Sequence, residues 1–288
     1  MSEKHTCVIC GGTNYVLFGE KNGYKLFRCK QCALVFVHPI PQNLADIYGK
    51  EYFKKEEATT PHGYTDYDKD KEPMRLVFEK YIGVCEKRTS GRRIFDVGAA
   101  TGYVLDIAKS RGWTTYGSEL SAYAGDIAAQ RGHTMIIGGL TDAKFPMVDA
   151  VMMWDVLEHV DDPRAYLSTV YGMLEKEGVL TISTPDKSSL WARCMGMRWQ
   201  LIVPPEHLYY YSPRNLSRLL NECGFDVLEI GKPSKWFSLS YIFTQLAQWQ
   251  RLAVWKALAR WTDNSFFRLF ALPINLRDNM FIIARKKA

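Results

Sequence analysis

The sequence has no long apolar run and no segment of biased composition. None of its 288 residues lies in a stretch of about 18 uncharged apolar positions, the length that a membrane-spanning helix needs. The first residues, MSEKHTCVIC, include no apolar core, so we do not expect a secretory signal. Low-complexity tracts are also absent, and 47% of the residues are hydrophobic, enough to bury a sizeable core. These features predict a globular protein of the cytoplasm.

Dense clusters of positive charge are missing as well. The net charge of +6 comes from 37 basic and 31 acidic residues spread along the chain, so we do not expect DNA as a partner. A weak attraction to phosphate groups or to anionic lipid remains compatible with this balance.

Cysteine is scarce outside one N-terminal segment. Four of the seven cysteines form two C-x-x-C pairs, Cys7 with Cys10 and Cys29 with Cys32. In a reducing compartment such pairs hold metal more often than they form disulfides, and four thiolates complete a tetrahedron around Zn²⁺. A redox pair or unpaired core cysteines are the alternatives. We expect residues 1–41 to form a zinc ribbon with one structural Zn²⁺ that supplies most of its folding energy.

Strand-like and helix-like segments alternate from Arg92 onwards. Short apolar runs, such as Ile94–Val97 and Ala150–Trp154, are separated by helical patterns of about ten residues. This alternation predicts an α/β fold, in which a doubly wound, mostly parallel sheet carries helices on both faces. We assign residues 91–288 to this domain.

A glycine-rich turn follows the first of these strands. It reads FDVGAATG and ends at Gly102, with Ala100 in place of the middle glycine of the usual G-x-G-x-G spacing. Such a turn lets the backbone approach either a dinucleotide pyrophosphate or the amino-acid end of S-adenosylmethionine. Asp96 precedes Gly98 by two residues, and Glu119 ends the next strand, where it can accept both ribose hydroxyls. These two acids favour S-adenosylmethionine.

The motifs that follow occur in a recognisable order. After FDVG-x-x-TG come YGSELS at 116–121, DVLEHV at 155–160 and GVLTISTPD at 178–186. The chain thus resembles the class I S-adenosylmethionine-dependent methyltransferases of type 11/23, over about residues 90–230 and the last strand. The resemblance implies a Rossmann-like fold with S-adenosylmethionine as cofactor. Some relatives also carry an N-terminal four-cysteine zinc unit, which here corresponds to the ribbon.

The resemblance also implies where the cofactor binds. Asp96, Gly98 and Gly102 would shape the methionine end, and Glu119 would hold the ribose. The cofactor-binding set implied in this way is completed by Ala99, Tyr103, Leu120, Asp155 and Val156. Relatives often have an Asp near the adenine after the third strand, whereas this chain has Gly138–Leu140, with Asp142 as a candidate substitute.

Two histidines are candidates for the base that an acceptor hydroxyl or amine needs. His159 follows the fourth strand, at the cofactor edge of the sheet. His207 lies in PPEHLYYYS, within residues 186–212, which the resemblance identifies as the acceptor lid. The alternatives are that His159 packs at a helix start and that His207 hydrogen-bonds locally.

Two further segments flank or interrupt the main domain. Residues 42–90 are interpreted as a linker and a helical segment that covers the cofactor site. Its helix, at 74–86, is expected to bury Leu76, Val77, Tyr81 and Ile82. Residues 236–276 form an aromatic helical insertion that packs on the core or on a second subunit of a homodimer, or rests peripherally on the inner face of a membrane.

We expect O-methylation of a saccharide, including a lipid-linked one, or of another small molecule; the saccharide rests only on the relatives with a zinc unit. Three alternatives remain open. The first is an RNA methyltransferase whose ribbon grips RNA through Lys21, Lys25, Arg28 and Lys30. The second is a non-catalytic module that binds the cofactor, and the third is a nicotinamide-dependent oxidoreductase.

Overall fold

A computed structural model describes residues 6–41, 67–140, 145–233, 235–239, 242–243, 246–247, 253–262 and 271–287. Its strands are β1 Tyr15–Lys21, β2 Tyr24–Cys29, β3 Val35–Val37, β4 Arg93–Val97, β5 Thr114–Glu119, β6 Thr134–Ile137, β7 Val148–Trp154, β8 Leu174–Pro185, β9 Tyr209–Tyr210, β10 Phe225–Gly231, β11 Lys235–Ser238, β12 Ala271–Ile274 and β13 Asn279–Lys286. Its helices are α1 Tyr67–Lys71, α2 Arg75–Arg88, α3 Tyr103–Ser110, α4 Ala122–Gln130, α5 Pro163–Met173, α6 Leu190–Met195, α7 Pro213–Glu222 and α8 Ala253–Thr262. Short 3₁₀ turns at Glu72–Met74 and Gly196–Arg198 follow α1 and α6.

The main sheet has seven strands in the order β10-β13-β8-β7-β4-β5-β6. The strands from β8 to β6 are parallel, and β13 runs antiparallel to both of its neighbours. In β7, Val148 to Met153 are all buried, as expected of a central strand covered by helices on both faces. The predicted α/β fold with a mostly parallel sheet is confirmed. Because β4, β5 and β7 are parallel, the turns that follow them meet at one edge.

Local capping chemistry sets the helix starts around this sheet. The Asp162 side chain accepts hydrogen bonds from Arg164 N and Ala165 N at the start of α5. Ser212 and Asn215 form a capping box at the start of α7, whose first residue is Pro213.

The helix α2 buries most of the face expected, because Tyr81 and Ile82 are buried and Val77 is half-buried. Its buried residues are Phe78, Tyr81, Ile82 and Cys85. The prediction was wrong for Leu76, which is 68% exposed. The buried set repeats at three or four residues from Phe78, and Leu76 lies outside that stripe.

The N-terminal ribbon has its own antiparallel sheet, in the order β1-β2-β3-β9. β1 and β2 form a hairpin around Asn22 and Gly23, whose positive φ angles of 53° and 79° suit a tight turn. The fourth strand, β9, comes from residues 209–210 of the main domain. Apolar side chains of the ribbon and of the main domain form one continuous cluster. The ribbon therefore packs as part of the main body.

Part of the aromatic insertion lies within the described residues. β11 and β12 pair antiparallel, and α8 lies between them in the chain. No helix in the described ranges combines the length and apolar character needed to cross a bilayer. The predicted contacts of 236–276 with core, membrane or a second subunit stay predictions.

Candidate active site

The glycine turn after β4 is held by the strand beside it. The amides of Gly98 and Ala99 both donate to the Ser118 carbonyl, at 2.9 and 3.0 Å. Gly98 and Gly102 have φ angles of +71° and +83°, and Ala100 is left-handed as well at +50°. Ala100 therefore occupies a conformation that usually favours glycine.

Contacts within the protein explain why two positions of the turn are glycine. A Cβ at Gly98 would lie 2.8 Å from Val156 Cγ2, and a Cβ at Gly102 would lie 2.8 Å from His133 Cδ2. Both distances are too short for ordinary van der Waals contact. Gly98 thus allows the turns after β4 and β7 to touch.

Glu119, at the end of β5, is tied to the turn by its carboxylate. Oε2 accepts a hydrogen bond from Ala100 N, and Oε1 accepts one from Ser121 N, each at 2.9 Å. The residue is buried, and this burial raises the pKa of its carboxyl. A carboxylate offers about four acceptor positions, so each oxygen keeps one lone pair for a ligand hydroxyl.

Asp96 lies next to the end of β4 and is also buried. Burial raises the pKa of its carboxyl well above the ordinary range, and the negative charge of Glu119 raises it further. Two buried carboxylates close together repel each other, so a nearby positive charge would stabilise their ionised forms. A ligand with an ammonium group would supply that charge and lower the pKa of Asp96 again.

The turn after β7 lies at the same edge of the main sheet as the turns after β4 and β5. Asp155 has a φ of +53°, and its amide donates to the Ser183 carbonyl at 2.8 Å. Its Oδ1 accepts a hydrogen bond from Ser183 Oγ at 3.0 Å. A non-glycine residue in this conformation costs about 1–3 kcal/mol and is common at functional sites. β8 therefore fixes the predicted Asp155 through Ser183, which the sequence reasoning missed.

The other predicted cofactor residues divide into two groups. Ala99 and Tyr103 are buried in an apolar cluster, and the Tyr103 hydroxyl donates to Glu72 Oε2 at 2.5 Å. Their side chains thus pack within the protein. Leu120, by contrast, is 45% exposed after β5, and Ile137 is 46% exposed at the end of β6. Ile137 was missed, because a lone apolar residue at a strand end carries no pattern; Asp142 lies outside the described residues.

The helix α1 lies against the glycine turn. The carboxylate of Asp68 accepts hydrogen bonds from Thr101 Oγ1 and from Arg131 Nη2. The ring of Tyr67 packs against Ala100 and Ala124. This placement fits the expected covering of the cofactor site by the segment before β4. Sequence spacing could not reveal these contacts, because 33 positions separate Asp68 from Thr101.

The two candidate histidines, 48 positions apart in sequence, meet beside this edge. The centroids of the two imidazole rings lie 4.7 Å apart in a T-shaped arrangement. His159 Nδ1 lies 2.8 Å from the Glu206 carbonyl oxygen, and His207 Nδ1 lies 2.9 Å from that of Leu201. A carbonyl oxygen only accepts, so Nδ1 carries a proton in each ring.

A buried acid joins this pair. Glu158 is fully buried, and its Oε2 accepts a hydrogen bond from Thr184 Oγ1 at 2.8 Å. Side-chain polar atoms of Glu158, His159 and His207 all lie within 4.8 Å of one another. Burial lowers the pKa of His159 to about 4, although Asp155 opposes the shift, so His159 is neutral at pH 7. His207 is buried, at 8% exposure, and the side chain of His159 is half-buried.

The four N-terminal cysteines converge on one point. Cys7 Sγ lies 3.5 Å from Cys32 Sγ, and Cys10 Sγ lies 3.5 Å from Cys29 Sγ. These distances are too long for a disulfide. They are close to the spacing of about 3.8 Å between sulfurs in a tetrahedral zinc site with Zn–S bonds near 2.3 Å. The donor set fits the predicted structural Zn²⁺ and leaves no position for a substrate.

The strand order, the glycine turn after β4 and the acid after β5 are typical of methyltransferases with a Rossmann-like fold. A family model described as a methyltransferase domain matches residues 68–230, more than half of the chain, so the chain belongs to this family. It is an S-adenosylmethionine-dependent methyltransferase. Family membership therefore decides between the two cofactor classes in favour of the methyl donor.

Curated relatives match part of the chain at low identity. A ubiquinone biosynthesis O-methyltransferase of Alkalilimnicola ehrlichii is 28% identical over 169 residues, which are 53% of this chain and 67% of that protein. A malonyl-[acyl-carrier protein] O-methyltransferase of Serratia marcescens is 26% identical over 162 residues, 55% of this chain and 62% of that protein.

Solved structures share the fold. Magnesium protoporphyrin IX methyltransferase from Synechocystis PCC 6803 with bound SAH has a TM-score of 0.50 at 15% identity, covering 77% of this chain and 87% of that one. A putative methyltransferase complexed with the Haloferax volcanii Trm112 activator gives 0.52 at 14%, covering 75% and 92%. The expected Rossmann-like methyltransferase fold is confirmed.

Proposed function

We propose that this enzyme transfers the methyl group of S-adenosylmethionine to a hydroxyl oxygen of a small molecule. The observation that carries the proposal is the pair of histidines, whose Nδ1 atoms are both held by backbone carbonyls. The two curated relatives described above are O-methyltransferases, which supports an oxygen acceptor.

The residues of the edge fit the methyl donor. The two anchored oxygens of Glu119 would accept the ribose hydroxyls, and Asp96 would face the ammonium of the methionine end. The exposed Leu120 and Ile137 would flank the adenine. When bound, S-adenosylmethionine supplies an electrophilic methyl group on a positively charged sulfur.

The histidine pair would handle the proton of the acceptor. As the acceptor oxygen bonds to the methyl carbon and the carbon–sulfur bond breaks, His207 Nε2 would take the hydroxyl proton. Its Nδ1–H would remain on the Leu201 carbonyl, which fixes the tautomer and the ring orientation. His159, being neutral and half-buried, would orient the acceptor hydroxyl. Proximity would supply much of the remaining acceleration.

The acceptor proposed in more detail is a saccharide hydroxyl, with lipid-linked saccharides included. It is tested by measuring S-adenosylhomocysteine release from the full chain with three probes: a nucleotide sugar, catechol and a free carboxylic acid. A base-stable methyl ether formed on the sugar supports the saccharide acceptor, whereas an ether formed on catechol alone supports O-methylation of a hydroxyl and contradicts the saccharide. A base-labile methyl ester formed only on the carboxylic acid would contradict it.

A further inference from the structure

The zinc ribbon and the acceptor segment share a strand pairing. In the ribbon sheet, Val35 pairs with Tyr210 and Phe36 pairs with Tyr209. The Val37 amide donates to the Leu208 carbonyl at 2.8 Å. Leu208 directly follows His207, so the last ribbon strand lies against the residues that carry the candidate base.

The same residues are held from the opposite side. The Leu208 amide donates to the Glu158 carbonyl at 2.8 Å, and the Tyr209 hydroxyl donates to the Asp161 carbonyl at 2.9 Å. Leu208 therefore bridges the ribbon and the loop after β7, next to His159. The distance between the two histidine rings depends on both attachments.

Side chains of the ribbon hairpin reach the acceptor lid as well. Asn22 Nδ2 donates to the Pro204 carbonyl at 2.9 Å. The Lys187 ammonium lies 5.1 Å from the ring centroid of Phe18 and 5.7 Å from that of Trp199. A Cβ at Gly19 would lie 2.6 Å from Met197 Sδ, so the hairpin also packs closely on the lid. The ribbon hairpin thus contacts the lid at Lys187, Met197 and Pro204.

The cysteine knuckle formed by residues 7–10 is hydrogen-bonded to the main domain. Arg164 Nε donates to the Val8 carbonyl at 2.6 Å, and Arg164 Nη2 donates to the Ile9 carbonyl at 2.9 Å. Arg164 lies in the first turn of the helix α5, which packs on the central sheet. A shift of the knuckle would be passed to both α5 and β9.

We propose that the zinc ribbon positions the acceptor site: Asn22 and the strand Val35–Val37 hold residues 204–210 so that His207 faces His159. A segment of this size would gain much of its folding energy from a bound metal, so zinc occupancy would control this alignment. The cofactor residues lie on the other sheet, after β4, β5 and β7, and would be little affected. This inference rests on the proposed function, because it treats His207 as the group that faces the acceptor.

The first test removes one ribbon contact without unfolding the ribbon. Asn22→Gly keeps a residue that accepts the positive φ of the turn but deletes the amide that holds Pro204. We expect hydrogen exchange of the amides 207–210 to become about fivefold faster, the effect of one lost hydrogen bond. Asn22→Asp should behave alike, because a carboxylate cannot donate, and Glu20→Ala, an exposed change on the same hairpin, should leave exchange unchanged. Unchanged exchange at 207–210 in Asn22→Gly would overturn the inference.

The second test strips zinc from the full chain with a strong chelator and measures hydrogen exchange together with S-adenosylhomocysteine binding by calorimetry. We expect residues 24–37 and 207–210 to lose protection together, while β4, β5 and the binding constant stay within about twofold. Loss of protection in 24–37 alone, or in neither segment, would overturn the inference. If removal of zinc unfolds the whole chain, the hydrogen-exchange result for Asn22→Gly decides whether the inference holds. Failure of the untreated protein to bind S-adenosylhomocysteine would instead contradict the proposed function.

Discussion

The contact between Gly98 and Val156 joins the two turns of the cofactor edge, and a double mutant can measure it. In Gly98→Ala, the new Cβ would lie 2.8 Å from Val156 Cγ2, at a residue whose φ is +71°. The left-handed conformation costs about 1–2 kcal/mol for a residue with a Cβ. Overpacking against a short, stiff side chain costs about 1–3 kcal/mol more. We therefore expect Gly98→Ala to lower the free energy of unfolding by about 2–5 kcal/mol.

The second substitution separates the two costs. Val156→Ala removes Cγ2, and the next nearest atom, Val156 Cβ, lies 3.9 Å from the new methyl position, which is ordinary contact. Gly98→Ala should then cost only the conformational part, so the pair should show a coupling of about 1–3 kcal/mol. Urea denaturation of the wild type, both single variants and the double variant measures it. Additive effects would refute the claim that this contact requires glycine at position 98.

Three further predictions concern individual side chains. Glu119→Gln should weaken S-adenosylhomocysteine binding about 10–100-fold in calorimetry, because the amide NH2 would face one of the two backbone N–H donors and the charge-assisted bonds would be lost. Glu20→Gln, an exposed control, should not weaken binding, and equal affinities of wild type and Glu119→Gln would contradict the role of Glu119. His207→Ala should lower kcat about 100-fold or more in the methyl-transfer assay while cofactor affinity holds, and near-normal turnover would refute its role. Without ligand, the stability of wild type relative to Asp96→Asn should rise as pH falls from 7 to 5. The raised pKa makes the native carboxyl bind a proton that the unfolded chain releases, and that stability is lost as pH rises again, so a pH-independent difference in urea denaturation would contradict it.

The central sheet could be predicted because its signals are local. The buried run of β7 and the capping box at Ser212 each lie within a few residues. The order of motifs in the chain also placed Asp96, Glu119 and Asp155 at one edge, since parallel strands end together.

Contacts between distant segments could not be predicted in this way. β9 has only two residues, and nothing in YYYS indicates a partner strand some 170 positions earlier in the ribbon. The tie between Asp68 and Thr101, and the support of Asp155 by Ser183, likewise depend on the folded chain. The cofactor role of Gly102 stays a prediction, and the nearby His133 ring, which the sequence could not reveal, is a separate reason for glycine at this position.

The most direct test of the account is calorimetric titration of the full chain with S-adenosylhomocysteine, followed by the same titration with NAD. The arrangement of Asp96, Glu119 and Asp155 predicts one site per chain for S-adenosylhomocysteine and none for NAD. Binding of NAD without binding of S-adenosylhomocysteine would contradict the assignment of this edge to the methyl donor.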